Sequence, residues 1–399
     1  MNNNEWTRSI KEGRVAISDT LAFTHSEASN SCFSPDRGVF YTIYTASRRN
    51  YGESHDVLAF NITPVCQPHR SITKVVTEIG VDFPLKEAKK ILCPNCFYYT
   101  TDEVLYHAKT HFGQSADIYH GFVRITIEVD GKKHYYTDYD TVNDTFSEFK
   151  PLKVLFHGEI HHLTGEIFKA YLEENGCTDY NSRECDEDLI LSDKFKLHSD
   201  GYRYTLATAA WAWPALMRLK EGSDVMEFVG VIRHSAQYEA QSAILNGKIY
   251  AVLRGAVDND FFVSDDMGKT FRPVGRIDFN TTRPQLFAYR DRIYIAVSKK
   301  GVEPNYVRDG RNNLLLLRGE GDDLSQYEEV FHVSDPYGMV YYDISEYKGR
   351  LFMFWSSADL YVDKNPQAKD LLCEVHPKSW TQPLRCIFYE ERTQNKPSV

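Results

Sequence analysis

Apolar and aromatic residues fall in short runs along this chain, and polar turn residues separate the runs. Several runs repeat one pattern, in which a Gly or Asp and a charged residue precede an aromatic and apolar stretch. Such a pattern predicts a tight turn followed by a β-strand. The clearest copies occupy 247–253, 291–297 and 349–355, and weaker copies occupy 37–41, 102–106 and 201–204.

The spacing of these copies is typical of β-propeller blades. Tyr294 follows Tyr250 by 44 residues, and Phe352 follows Tyr294 by 58. A strand–turn–strand unit that repeats near this length predicts an all-β ring of four-stranded blades. Because segment 63–90 and the chain ends are left over, seven blades are expected, with six as the alternative. The recognisable blades occupy 20–62, 88–157, 194–232, 236–275, 283–332 and 338–390.

Segment 158–192 interrupts the repeat and is interpreted as an insertion within a single propeller domain spanning 1–399. Thr164 is a suitable N-cap for a helix, and Gly176 is a suitable stop after its C-terminus. A small helical insertion near 160–190 is therefore predicted. Its apolar residues fall on one helical face: Ile167, Phe168, Tyr171 and Leu172.

Composition argues against several classes of partner. The chain has 399 residues and a net charge of −10, with no block of Lys or Arg, so nucleic-acid binding is not expected. No stretch approaches the roughly 18 apolar residues of a membrane span, and the first residues lack an apolar signal segment. No membrane partner is expected, and a cytoplasmic location is predicted. The eight cysteines are too sparse for a disulfide scaffold.

One candidate constellation lies where an inner strand is predicted to begin. Tyr238 and Glu239 open this strand, and Arg254 ends the next. A tyrosine can act as a general acid or base, and an arginine can bind a carboxylate through two hydrogen bonds. The alternative interpretation is structural, with Tyr238 as a packing aromatic and Arg254 in an ion pair.

A second constellation contains two cysteines and two histidines. Cys93 and Cys96 are followed by His107 and His111, a spacing close to that of a zinc finger. The repeat pattern favours a strand here, and on a strand both histidines would share one face toward the central funnel. A structural zinc site, a funnel-facing histidine pair and ordinary structural histidines all stay open. No cofactor is required, and calcium is the other structural ion considered.

Arginines near blade ends form a third set of candidates. Arg48, Arg49 and Tyr51 follow the first predicted hairpin, and Arg283 precedes another inner strand. Together with Arg254 these side chains could form a cationic ring in an otherwise acidic protein, which would attract an anionic substrate. The alternative for 48–54 is a solvated loop.

These motifs resemble a known group of propellers. The pattern S-x-D-x-G-x-T-F at 264–271 and the repeated turn–strand phrases resemble the sialidase-like BNR-repeat, or Asp-box, propellers. Segment 49–54 and the Tyr238, Glu239 and Arg254 set look most like the propeller polysaccharide lyases, such as ulvan lyases and rhamnose–glucuronate lyases, and the related rhamnosidases. That resemblance implies that a tyrosine and an arginine work with histidines of a neighbouring blade. Because no N-terminal arginine motif is found, true sialidase action is not expected.

Three functions follow from these expectations. The leading one is a lyase that cleaves a uronate-containing oligosaccharide by β-elimination, in which Arg254 and Arg283 bind the carboxylate and Tyr238 or a histidine moves the proton. The second is an exo-glycoside hydrolase on an acidic glycan, with Glu239 as its carboxylate. The third is a propeller that binds a glycan or a protein without catalysis. An acidic oligosaccharide is the expected partner of either enzyme.

Overall fold

Strands account for most of the residues that the computed structural model describes. The described residues are 25–34, 37–47, 57–65, 72–78, 98–101, 104–107, 115–119, 122–129, 133–177, 189, 191, 193–209, 211–220, 222–236, 238–255, 258–279, 283–299, 313–334, 341–356 and 385–389. Among them, no helix has the length and apolar composition needed to cross a membrane.

The N-terminal half contains two sheets and a separate hairpin. The first sheet has the order β1-β2-β3-β4, with β1 (His25–Ser34), β2 (Val39–Ser47), β3 (Val57–Pro64) and β4 (Ile72–Glu78). The hairpin consists of β5 (Tyr98–Thr101) and β6 (Val104–His107). The second sheet has the order β10-β9-β8-β7, and β11 also pairs with β9; the strands are β7 (Ser115–Tyr119), β8 (Phe122–Val129), β9 (Lys133–Asp140), β10 (Thr145–Phe146) and β11 (Lys150–Pro151).

The third sheet is the widest and takes strands from two separate parts of the chain. Its order is β13-β12-β17-β16-β15-β14, and β12 runs parallel to β17. The strands are β12 (Lys153–Phe156), β13 (Glu159–His162), β14 (Lys196–Leu197), β15 (Tyr202–Ala207), β16 (Ala215–Lys220) and β17 (Val225–Val231).

The last three sheets are antiparallel meanders. The fourth is β18-β19-β20-β21, with β18 (Tyr238–Leu245), β19 (Lys248–Arg254), β20 (Asn259–Ser264) and β21 (Arg272–Ile277). The fifth is β22-β23-β24-β25, with β22 (Gln285–Tyr289), β23 (Arg292–Val297), β24 (Asn313–Glu320) and β25 (Asp323–Ser334). The sixth has three strands, β26 (Tyr341–Tyr347), β27 (Arg350–Ser356) and β28 (Arg385–Tyr389).

The sheets are arranged as a propeller. The innermost strands are β1, β7, β18, β22 and β26 in their sheets, and β14 in the third sheet. Strand β18 lies beside β22, β22 beside β26, β26 beside β1, and β1 beside β7. The last sheet therefore contacts the first and closes the ring. Aromatic packing supports this closure, because the ring centroids of Phe33 and Tyr347 are 4.0 Å apart and those of Phe40 and Phe352 are 4.7 Å apart.

The all-β propeller is confirmed, but the predicted count of seven or six blades is not. The described residues form five sheets of four or more strands, which are the five full blades, and the sixth sheet has three strands. The reason lies partly in segment 63–90, which we expected to contribute to a further blade. It contains β4, which pairs with β3 and completes the first blade.

The predicted helix is confirmed as α1 (Gly165–Glu174). Thr164 is its N-cap, and its side chain accepts a hydrogen bond from the Ile167 backbone N–H at 3.4 Å. Gly176 has a φ of +84°, the left-handed conformation that ends many helices. Phe168 and Leu172 are buried against the third blade, and the ring of Tyr171 stacks on Phe228 at 4.0 Å.

The turn that resembles an Asp box joins β20 and β21. The Thr270 backbone N–H donates to Asp266 Oδ1 at 2.9 Å, and the Thr270 hydroxyl donates to Asp266 Oδ2 at 2.6 Å. These bonds lower the pKa of Asp266 to about 2. Gly268 has a φ of +87°, and an added Cβ would lie 2.0 Å from the Leu216 side chain. Only glycine fits this turn against the third blade.

Candidate functional site

The inner strands of the fourth blade have two different ends. At one end, a tight turn at 246–247 joins β18 to β19. The other end carries the start of β18, the end of β19 and the start of β20, and we call it the loop end. The connection between β15 and β16 of the third blade also reaches the loop end. Its Ala212 forms a β-bridge with Ala236, which lies shortly before β18. The loop end therefore gathers segments from two blades.

A β-bulge shapes the strand at the loop end. Tyr238 pairs with Arg254 and Gln241 pairs with Val252, so Glu239 and Ala240 together face the single residue Leu253. Glu239 has a φ of +60°, a left-handed conformation that is uncommon for a residue other than glycine. Bulges of this kind redirect a side chain and are frequent beside active sites.

The bulge brings Glu239 into contact with Arg254. Arg254 Nη1 donates to Glu239 Oε2, and the two side chains are 14% and 9% exposed respectively. A carboxylate and a guanidinium therefore lie side by side, largely shielded from water. Breaking such a pair usually costs stability, because the remaining charge is left without its partner. The structure thus places at one blade end an anion and a cation that could act on a charged substrate.

Further polar and aromatic side chains lie on the segments that meet at the loop end. His234 Nε2 lies 3.0 Å from Asp260 Oδ2, and the His234 ring packs on Phe262 at 5.5 Å. Trp211 is 41% exposed and has a φ of +56°. Trp211 was not among the predicted site residues, although the pattern Trp211-Ala212-Trp213-Pro214 indicates an aromatic turn.

The structure brings some of the predicted site residues together. Tyr238 and Arg254 are direct cross-strand partners, so their backbones lie at the same end of the blade. Glu239, predicted as a substrate-binding residue, joins Arg254 in an ion pair, which was also the structural alternative for Arg254. Arg283 is 2% exposed, and its Nη2 donates to the Tyr342 backbone oxygen at 3.1 Å. Its described contact is therefore with the neighbouring sheet.

The roles of the other candidate residues stay predictions. His107 ends β6, where its backbone pairs with Tyr98. Within the described ranges, no cluster of three or more His, Cys, Asp or Glu side chains could hold a metal ion. Three of the four predicted zinc ligands lie outside those ranges, so the zinc and calcium alternatives stay predictions. Six predicted residues lie outside the described residues: Arg48, Arg49, Tyr51, Cys93, Cys96 and His111.

Two further buried carboxylates, Asp193 and Asp343, were not predicted from the sequence. Asp343 Oδ2 accepts from the backbone N–H and the hydroxyl of Ser31, the latter at 2.6 Å, and from Lys194 Nζ at 2.7 Å. Asp193 accepts from the backbone N–H of Ser242 at 3.1 Å, from its hydroxyl at 2.5 Å, and from Lys196 Nζ. The Ser31 contact joins Asp343 on β26 to β1, and the Ser242 contact joins the segment before β14 to β18. Their contacts indicate structural roles.

The axis also holds a cavity of about 780 Å³ between the inner strands. Its charged lining side chains are Lys194, Lys196, Glu346 and Lys348. Two of these lysines already contact Asp343 and Asp193. The charges are therefore largely balanced within the protein, and the cavity does not form a strongly cationic pocket.

Solved sialidase structures are similar to this one. The sialidase of Trypanosoma rangeli in complex with the inhibitor DANA gives a TM-score of 0.54 at 9% identity, covering 84% of this chain and 53% of that chain. The K499G mutant of NanB sialidase from Streptococcus pneumoniae gives a TM-score of 0.54 at 12% identity, covering 94% of this chain and 70% of that chain. The fold is a sialidase-like β-propeller.

The comparison establishes the fold and leaves the activity open. The chain spans about half the length of the Trypanosoma rangeli sialidases that it matches. No protein-family profile matches the chain, and no curated protein sequence does either. The resemblance to sialidase-like propellers is supported at the level of fold, whereas the closer relationship to lyases and rhamnosidases is not shown.

Proposed function

We propose that this protein is an exo-glycoside hydrolase that removes a terminal sugar from an acidic glycan. The observation that carries the proposal is the shielded Glu239–Arg254 pair on a bulge at the loop end. The sialidase-like fold supports it, because those structures are named as glycan-cleaving enzymes and one is described in complex with sialic acid. The hydrolase explains these observations better than the lyase, which was the leading expectation from the sequence.

Arg254 would bind the acidic group of the terminal sugar. A guanidinium carries five N–H donors in a planar fork, so it can contact Glu239 and still approach a substrate carboxylate. Its side chain is 14% exposed, which leaves an approach from the solvent side. The shielded surroundings would strengthen the attraction between the guanidinium and the substrate.

Glu239 would supply the reacting carboxylate. Glycosidases commonly use a carboxylate to stabilise positive charge that develops on the sugar ring, or to activate the attacking group. Its backbone conformation fixes the direction of its side chain toward Arg254, which keeps the carboxylate near the bound acidic sugar. Tyr238, the adjacent residue in the chain, stays the predicted acid–base partner.

The same residues could serve the lyase, so the products must distinguish the two reactions. Purified protein would be incubated with glycosides and oligosaccharides that end in sialic acid, glucuronic acid, galacturonic acid or rhamnose. Mass spectrometry separates the outcomes: a hydrolase adds one water across the cleaved bond, whereas a lyase leaves an unsaturated uronate without adding water. A binding propeller would release no product from any of them.

Variants then test the site. Glu239→Gln should lower kcat by at least about 100-fold, because the reacting carboxylate is lost. Arg254→Lys keeps the charge but loses the planar fork, and should mainly raise KM for the acidic substrate. The matched control is Glu328→Gln, which breaks the Arg318–Glu328 pair on the outer strands β24 and β25. Full activity of Glu239→Gln would contradict the proposal.

A further inference from the structure

Trp211 combines two unusual properties on one short connection. Its side chain is 41% exposed, and its φ is +56°. A large exposed apolar surface and a left-handed backbone both disfavour a bulky aromatic residue at this position. Sparsely populated backbone conformations of this kind cluster at ligand sites, where the surrounding structure holds them in place.

The neighbouring backbone holds this conformation from both sides. The Ala212 N–H donates to the Ala209 oxygen at 3.2 Å, and the Ala236 N–H donates to the Ala212 oxygen at 3.0 Å. Just beyond, the Ile232 N–H donates to the Pro214 oxygen at 2.9 Å. The connection that carries Trp211 is thus attached through its backbone to the segment that enters β18.

That segment leads directly to the candidate site. Ala236 precedes Glu239 by three residues, and Ala212 follows Trp211 directly. From the reach of an extended chain and the width of one β-bridge, the Cα atoms of Trp211 and Glu239 are at most roughly 20 Å apart. This separation is within the length of a short oligosaccharide whose terminal sugar contacts Glu239 and Arg254.

We propose that Trp211 is a stacking platform for a neutral sugar on the leaving-group side of the cleaved bond. The inference rests on the proposed hydrolase and adds that its substrate is an oligosaccharide and not a lone terminal sugar. A pyranose ring has an apolar face that matches the indole surface, and an indole has few rotatable bonds to order on binding. Trp211 would determine which oligosaccharides bind and would not take part in the bond cleavage.

The test compares a short and a long ligand. In the Glu239→Gln background, which prevents turnover, calorimetry would measure binding of an acidic monosaccharide glycoside and of a trisaccharide with the same terminal acidic sugar. Trp211→Ala should weaken trisaccharide binding about tenfold and leave monosaccharide binding within about twofold. Trp211→Phe should recover most of the loss. Tyr327→Ala removes another exposed aromatic, 37% exposed on β25, and should change neither.

A second measurement distinguishes a ligand-binding role from a structural one. Trp211→Gly adopts a positive φ without strain, so it should melt at the same temperature as Trp211→Ala or higher, while losing the same trisaccharide affinity. Equal trisaccharide affinity of wild type and Trp211→Ala would overturn the platform, even if the wild-type enzyme hydrolyses acidic glycans. If the wild type hydrolyses no glycan but still shows the Trp211-dependent binding, the hydrolase fails while the sugar platform stands.

Discussion

Asp193 and Glu239 are both buried carboxylates beside a cation, but their surroundings differ. Asp193 accepts hydrogen bonds from the Ser242 N–H and hydroxyl, from the Leu206 N–H at 3.1 Å, and from Lys196. Its partners come from two strands and its own segment, so the carboxylate joins β15 to β18. Glu239 lies on a bulge in the left-handed region and faces Arg254 at the end of the blade.

This difference indicates that Asp193 stabilises the fold and that Glu239 is suited to a functional role. A carboxylate whose donors come from several strands holds those strands together, and its charge is satisfied within the protein. A carboxylate on strained backbone at a blade end weakens the fold locally, and such strain is typical of functional sites. The predictions below test this contrast, beginning with the largest expected effect.

Removing the Asp193 carboxylate should be strongly destabilising. Asp193→Ala leaves the Ser242 and Leu206 donors and the Lys196 ammonium without their acceptor in a buried site. We expect the free energy of unfolding to fall by about 3–5 kcal/mol. Urea denaturation followed by circular dichroism measures the change. Asp323→Ala, an exposed carboxylate at the start of β25, is the control and should leave the urea midpoint nearly unchanged. A small effect of Asp193→Ala would remove the contrast with Glu239.

The buried side chain of His134 should make the folded protein less stable in acid. His134 is fully buried; its Nε2 lies 3.1 Å from the Leu189 backbone oxygen, and its Nδ1 has no partner among the described residues. Burial lowers the pKa of His134 from 6.5 to about 3. The unfolded chain therefore binds a proton that the folded protein does not, so stability is retained above pH 6.5 and falls as the pH drops toward 3.

Between pH 6.5 and pH 5 this histidine should cost roughly 2 kcal/mol of unfolding free energy. Urea titrations of wild type and His134→Gln at both pH values measure this loss. The unfolding free energy of the variant should fall by roughly 2 kcal/mol less than that of the wild type between the two pH values. His162 acts in the same direction, because burial lowers its pKa, and the hydrogen bond between its Nε2 and the His134 backbone oxygen at 2.7 Å offsets only part of that shift. His162→Gln is thus a necessary companion variant. Identical pH dependence in all three proteins would show that these histidines do not control acid stability.

The smallest expected effect is the difference in stability between two variants of Glu239. Glu239→Gly and Glu239→Ala both remove the carboxylate, but only glycine adopts a φ of +60° without strain. We expect Glu239→Gly to be more stable than Glu239→Ala by about 1 kcal/mol, and both to remain folded. The comparison cancels the loss of the Arg254 contact, which the two variants share. Equal stability of the pair would mean that the backbone at Glu239 is not strained.

The local elements of this fold could be predicted from the sequence. The copies at 247–253, 291–297 and 349–355 correspond to β19, β23 and β27, because turn residues and apolar runs act within a few positions. Helix α1 was predicted for the same reason, since Thr164 and Gly176 mark its ends. The blade count was not predicted, because it depends on pairing between distant segments. Strand β12 illustrates this: we placed it in the second blade, but it pairs with β17 of the third.

The candidate site shows the same division. The sequence indicated Glu239 and Arg254 as candidates. An unbroken hairpin register from the Leu245–Lys248 pair would place Glu239 opposite Arg254, whereas the bulge places Tyr238 there. The bulge could not be predicted, because a register shift of one residue depends on how β18 packs against its neighbours. Asp193 and Asp343 were missed because their partners lie far away in the chain: Ser242 is 49 positions after Asp193, and Ser31 is 312 positions before Asp343.

The hydrogen bond between Ser31 and Asp343 can form only late in translation. The ribosome must add 312 residues after Ser31 before its partner exists. At about 5–20 residues per second this takes roughly 15–60 s. Throughout that interval β1 lacks its neighbour β26, which has not yet been synthesised. The side of β1 that β26 covers in the folded ring is therefore exposed for most of translation. We expect aggregation during expression to begin there.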